Sequence, residues 1–249
     1  MTAPSEIRIV NDAAELYKAA ADEFAISAAQ AVHRKGSFCV ALSGGSTPKG
    51  LYALLASKDA PAVPWLQTSV FFGDERLVPP EHPDSNFRMA NEALLSKVPL
   101  QPDNVFRVPT EEPDPEQVAS RYQSLMESYF ALRPGQFPSF DLILLGLGPD
   151  GHTASLFPGS AALEETTRLV VANWVEKLKT HRVTLTYPVI NNAACVVILV
   201  AGKEKAEIVR EVFENPRADV PAQRVKPASG RLLWLIDHAA AGCLSGRGS

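Results

Sequence analysis

The sequence predicts an α/β fold: a three-layer, doubly wound, mostly parallel sheet with helices on both faces. Three observations carry this expectation. Short apolar runs recur along the chain and are separated by segments of helical periodicity. Several runs, such as Cys195–Ala201, are apolar at nearly every position, as strands buried on both faces are. The intervening segments open with helix-start signals.

The first element is a helix from about Asp12 to Arg34. Leu16, Ala20, Phe24, Ala28 and Val32 recur every four residues and form one apolar stripe. Asp12, with Glu15 three residues on, resembles a capping box, and Gly36 ends the helix. Strand-like runs follow at Phe38–Leu42, Val70–Phe72, Phe140–Leu145, Leu169–Ala172, Arg182–Thr186, Cys195–Ala201 and Arg231–Ile236. Between them, Thr47-Pro48 sets a proline at a first helical position, Asp84-Ser85 caps a helix over Asn86–Val98, and Asp114-Pro115 opens one to about Ala131. The proline-rich stretches at 78–83 and 108–115 read as surface loops rather than linkers. Strands occur in both halves, so residues 1–249 are expected to form one domain. The polar, Gly-containing end at Ser245–Ser249 is expected to fray.

Composition narrows the function. The hydrophobic fraction of 46% excludes a disordered chain, and a formal net charge of −4 leaves no basic excess to neutralise nucleic-acid phosphates. The N-terminal residues lack the basic and apolar regions of a secretory signal, and no apolar run approaches the ~20 residues of a membrane span. Cys39, Cys195 and Cys243 are widely spaced, with no CxxC pair; reduced thiols and a cytoplasmic location are expected. No HExxH or clustered His/Cys spacing suggests a metal.

In open α/β sheets, ligands bind beyond the carboxyl ends of the strands. Four such ends are loaded with glycine and polar residues. After Leu42 come Ser43-Gly-Gly-Ser-Thr-Pro48, where Gly44 and Gly45 admit close backbone approach and the helix start, with Ser46 and Thr47, suits a phosphate or carboxylate. This is neither GxxxxGK[ST] nor GxGxxG, and the plain alternative is a tight strand-to-helix turn. After Phe72 comes Gly73-Asp-Glu-Arg76, three charges that would be costly if buried unpaired and need no explanation if solvated. Arg88 lies in the first turn of the next helix, where the dipole disfavours a cation unless an anion is bound nearby.

After Leu145 comes Gly146-Leu-Gly-Pro-Asp-Gly-His152. A lone histidine is more often structural, but here Asp150, two residues away, can fix the tautomer of His152 and raise its basicity. After Val200 comes Ala-Gly-Lys-Glu-Lys205, where Lys203 and Lys205 open a helix against the dipole preference. A phosphate would justify one of them; surface lysines would need no ligand.

Four segments together resemble the 6-phosphogluconolactonase family. They are Ser43-Gly-Gly-Ser-Thr-Pro48; Phe72-Gly-Asp-Glu-Arg-Leu-Val-Pro79 with Asp84-Ser-Asn-Phe-Arg88; Gly146-Leu-Gly-Pro-Asp-Gly-His-Thr-Ala-Ser-Leu-Phe-Pro-Gly159; and Arg182-Val-Thr-Leu-Thr186. Order and spacing also match, from roughly residue 5 to 243. The wider superfamily includes glucosamine-6-phosphate deaminases and sugar-phosphate isomerases, on a modified Rossmann-like fold. The deaminase branch typically carries a Glu five residues after the motif histidine; this chain has Phe157 there. It does keep Asp74, where the isomerising branch has a base.

The resemblance implies hydrolysis of 6-phospho-D-glucono-1,5-lactone to 6-phosphogluconate, in the oxidative branch of the pentose phosphate pathway. His152 is then the general base, Asp150 its orienting carboxylate, and Arg76 or the N–H groups near Gly146–Gly148 the oxyanion donors. Phosphate would sit on Gly44, Gly45, Ser46 and Thr47, with Arg88, Arg182 and Lys205 as cationic contacts. The implied partner is a small sugar phosphate, with no nucleic acid, membrane, metal or redox cofactor, and the enzyme a monomer or small homo-oligomer. The alternatives are an isomerase or deaminase, and a non-catalytic sugar-phosphate sensor.

Overall fold

In the computed structural model, which describes residues 5–245, six parallel strands form the main sheet in the order β1-β9-β8-β5-β2-β3. They are β1 (Ser5–Val10), β2 (Phe38–Leu42), β3 (Thr68–Phe72), β5 (Leu142–Gly146), β8 (Cys195–Val200) and β9 (Arg231–Asp237). β2, β3 and β8 are buried at every position, and β5 at all but its last, which is why these strands read as continuous apolar runs. β1 was not expected from the sequence. It is an edge strand of mixed polar and apolar residues, mostly exposed, and its pattern lacks the signal of a buried strand. The fraying expected beyond Ser245 lies outside the described residues.

Two expected strands belong elsewhere. β6 (Val170–Val175) and β7 (Thr180–Leu185) pair antiparallel, and β4 (Asp74–Arg76) joins β7 to complete a separate three-stranded sheet. The expected parallel series therefore loses these two runs. β6 and β7, at six residues each, are as long as the parallel strands and carry no mark of their partners, and β4 with three residues is too short to read as a strand.

Helices cover both faces of the main sheet. Successive strand residues point to opposite faces. Arg231 of β9 meets Glu23 of α1 (Ala13–Lys35), whereas Trp234 packs on Phe213 of α6 (Ala206–Glu214), so α1 and α6 lie on opposite sides. The α1 cap is as expected in part. Asp12 accepts from the Glu15 amide at 2.9 Å, but the Glu15 carboxylate turns to Asn11 rather than to the cap residue. Gly36, at φ 79°, closes the helix in the left-handed region. α4 (Pro115–Tyr129) starts as expected and packs against β6 and β7, whereas α2 (Ser46–Leu55) starts two residues before Pro48, which stands third in the helix rather than first. α3 (Asn86–Ala93) stops short of Val98 and passes into a 3₁₀ turn at Leu95–Lys97. α5 is the single turn Tyr187–Ile190.

The connectivity locates a site. From β2 the chain moves outward to β3; from β5, on the other side of β2, it moves toward β8 and β9. The loops leaving the adjacent strands β2 and β5 therefore part company. That crevice is where doubly wound sheets bind ligands.

Candidate active site

A cavity of ≈ 420 Å³ occupies that crevice. It is walled by the loops after β2, β5 and β8, with Asp74, Arg76 and Arg182 contributed by the second sheet. Its volume suits a small polar metabolite.

The loop after β2 forms one wall. Tyr52, fully buried, anchors it: its hydroxyl accepts from the Ser43 amide at 3.0 Å and donates to the Ser43 carbonyl at 2.8 Å. Gly45 precedes α2 with φ 105°, a conformation that other residues rarely adopt, and no side chain caps this helix. Its first-turn amides are thus available to an anion, beside the Ser46 and Thr47 hydroxyls. Gly44 is required by a neighbour: a Cβ there would fall 1.8 Å from Asn86 Oδ1. Asn86 in turn donates to the Asp74 carbonyl at 2.9 Å.

The charges after β3 divide into two roles. Glu75 is buried and accepts from the Asn86 amide at 2.7 Å, the Phe87 amide at 2.8 Å and the Arg76 amide at 2.8 Å, so it caps α3. Burial pushes its carboxyl up, against the pull of those hydrogen bonds. Asp74 faces the cavity and accepts from Ser155 Oγ at 2.6 Å. Arg76 stands directly opposite Arg182 in the β4–β7 ladder. Like charges at such a pair repel. Burial, then the Arg76 charge, pull the Arg182 guanidinium below its ordinary range. Among the described residues, Arg76, Arg182 and the cavity-lining Lys205 make no ion pair with any carboxylate. Three cations gathered in one crevice, none of them in an ion pair although Asp74 shares the wall, favour an anionic ligand.

Arg88 is placed elsewhere. Its Nε pairs with Glu92 at 2.6 Å, one helical turn on, and its Nη1 donates to the Glu81 carbonyl at 2.8 Å. It is not part of the cavity wall. The Glu92 carboxylate offsets the dipole penalty on Arg88, so its place in the first turn calls for no phosphate.

The loop after β5 carries the histidine. His152 Nδ1 lies 2.5 Å from Asp150 Oδ1, and the His152 amide also donates to that oxygen at 3.3 Å. Although burial opposes ionisation, hydrogen bonds from His152 and Lys177 hold the Asp150 carboxyl well below the usual carboxylate range. An ionised carboxylate only accepts, so Nδ1 carries the proton and Nε2 is the basic nitrogen. Phe157 stacks on the imidazole with centroids 4.1 Å apart. Gly148 is obligatory: a Cβ there would meet His152 Nδ1 at 1.9 Å. The Gly148 amide donates to the His152 carbonyl at 2.8 Å, so the loop already uses that N–H and it is no free oxyanion donor.

The second sheet supports this loop. Asn173 of β6 donates to the Ser155 carbonyl at 2.8 Å, and the Ser155 amide donates to Thr184 Oγ1 of β7 at 3.2 Å. Lys177, from the 3₁₀ turn between β6 and β7, donates to Asp150 Oδ2. The sequence reading missed Lys177, Asn86 and Ser155. Lys177 lies 27 residues from Asp150 in a segment with no chemical pattern, and only the hairpin returns it to the site.

Among the described residues, no group of three or more His, Cys, Asp and Glu side chains is arranged to hold a metal, and no helix is long and apolar enough to cross a membrane.

The chain is 46% identical over 214 residues to a 6-phosphogluconolactonase of Synechocystis sp., covering 85% of this chain and 86% of that one. It is 43% identical over 217 residues to a 6-phosphogluconolactonase of Nostoc sp., covering 86% and 88%. The solved 6-phosphogluconolactonase of Trypanosoma cruzi superposes with a TM-score of 0.86 at 30% identity, covering 98% of each chain. Residues 11–234 match the family of glucosamine-6-phosphate isomerases and 6-phosphogluconolactonases, and the chain belongs to it.

Proposed function

We propose that residues 1–249 act as one sugar-phosphate lactonase domain that hydrolyses 6-phospho-D-glucono-1,5-lactone to 6-phosphogluconate, in the oxidative branch of the pentose phosphate pathway. One observation carries this reading: a carboxylate-held imidazole shares a 420 Å³ cavity with three cations that lack carboxylate partners. The identities to 6-phosphogluconolactonases support the same reaction.

The phosphate sits on the Gly44, Gly45, Ser46 and Thr47 wall, with Arg182 and Lys205 as its cations. His152 Nε2 takes a proton from water as the oxygen adds to C1. Arg76 stabilises the tetrahedral oxyanion. When that intermediate collapses, the C1–ring-oxygen bond breaks and the imidazolium returns its proton to the departing oxygen. Asp150 stays ionised throughout and holds the imidazole in its productive tautomer. The activated ester needs no second acid–base residue. Phe157 accordingly presents an apolar ring where the deaminase branch has a Glu.

The reaction takes place in the cytoplasm, by a monomer or small homo-oligomer, without nucleic acid or membrane. Freshly generated lactone, corrected for spontaneous hydrolysis, should release protons faster with the protein than without it. Ammonia release from glucosamine 6-phosphate, with no acceleration of lactone opening, would assign the chain to the deaminase branch instead.

A further inference from the structure

The mechanism uses two of four side chains that close on one another. His152 Nδ1 contacts Asp150 Oδ1, and Lys177 Nζ donates to Asp150 Oδ2. The same Nζ lies 4.8 Å from the centroid of Phe157, within cation–π range. Phe157 in turn stacks on His152. The circuit runs imidazole, carboxylate, ammonium, phenyl ring and back to imidazole.

Lys177 is unlike the other cavity-lining cations. Arg76, Arg182 and Lys205 have no carboxylate partner, whereas Lys177 is paired with the carboxylate that holds the histidine. Held on one oxygen only, by the ring and the amide of His152, the carboxylate could still turn about its terminal bond. With Oδ2 held by an ammonium, Oδ1 is kept on Nδ1. The anchor is firm, because the β6–β7 ladder continues to the Val175–Thr180 pair on either side of the turn that bears Lys177.

We propose that Lys177 is a positioning residue, fixing the orientation of His152 through Asp150 and the Phe157 face rather than holding the substrate phosphate. This rests on His152 acting as the base. Outer groups that orient an acid–base residue act on turnover, since small misplacements of the reacting group are costly in rate. Groups that bind the ground state act on KM.

The test is a cycle of four proteins, wild type, Lys177→Met, Asp150→Asn and the double variant, with Lys177→Arg as the conservative control. Lys177 is 48% exposed, and Met keeps the stem length, so the fold should survive; thermal melting checks this. Lys177→Met should lower kcat by about 10- to 100-fold with KM changed by less than about twofold. Lys177→Arg should recover most of the loss. In the Asp150→Asn background, Lys177→Met should cost clearly less than it does in the wild type, because the route through the carboxylate is gone and only the weaker contact with the Phe157 face remains. A raised KM at unchanged kcat would make Lys177 a substrate ligand and overturn the proposal. So would an unchanged enzyme, or a kcat loss that multiplies fully with that of Asp150→Asn. A fully active Asp150→Asn single variant would instead strike at the dyad, and with it the proposed mechanism.

Discussion

The charged side chains lining the cavity follow two opposite electrostatic principles. Around His152 every charge has a partner: Asp150 is held by the imidazole and by Lys177. The other cavity-lining cations are unmatched: Arg76 opposes Arg182 across a ladder, and neither they nor Lys205 pairs with a carboxylate. Pairing restricts motion and fixes orientation, which acid–base chemistry needs. Leaving cations unpaired stores an attraction that only an arriving anion satisfies. The difference separates the acid–base pair from the cations that meet charge on the substrate, the phosphate at Arg182 and Lys205 and the developing oxyanion at Arg76.

Substitutions can break that division. Short of removing the imidazole itself, the largest effect is expected at Gly148. An added methyl would fall 1.9 Å from His152 Nδ1. Gly148→Ala should therefore displace the ring and lower kcat by ~10²-fold, measured by steady-state lactone hydrolysis. Among the unpaired cations, Arg182→Ala and Lys205→Ala should each raise KM by roughly 10-fold or more, as for loss of a charge-assisted hydrogen bond. If kcat falls and KM does not move, the division is wrong.

Acid should reveal the Asp150 pairing. Its folded-state pKa is depressed, so the ionised group stabilises the fold above the unfolded value of ~3.9, and the contribution is lost as pH falls through the folded value. Urea unfolding should show wild type more stable than Asp150→Asn at about pH 7, with the gap shrinking below about pH 4. A gap independent of pH would deny the pairing. The smallest effect is expected at Arg88, which lies off the cavity: Arg88→Ala should leave KM within about twofold of wild type.

What could be read from the sequence follows the same physics. The buried strands were legible because burial on both faces forces unbroken apolar runs, as in Cys195–Val200. The turn after β2, the Asp150–His152 pair and Lys205 were legible because glycine and polar residues at strand ends violate that pattern. Edge strand β1 was not, since exposure relaxes its composition. The antiparallel grouping of β4, β6 and β7 was not, because partner choice is settled by contacts far apart in the chain. Lys177 escaped for that reason, and Arg88 misled because its partner Glu92 was not weighed against the helix dipole.

The most direct test of the central claim is the rate at which His152→Ala releases protons from freshly generated 6-phosphogluconolactone, beside wild type. With spontaneous hydrolysis subtracted, saturating turnover should fall by roughly 10²–10⁴-fold while half-saturation stays close to wild type. A variant that hydrolyses the lactone at the wild-type rate would contradict the account.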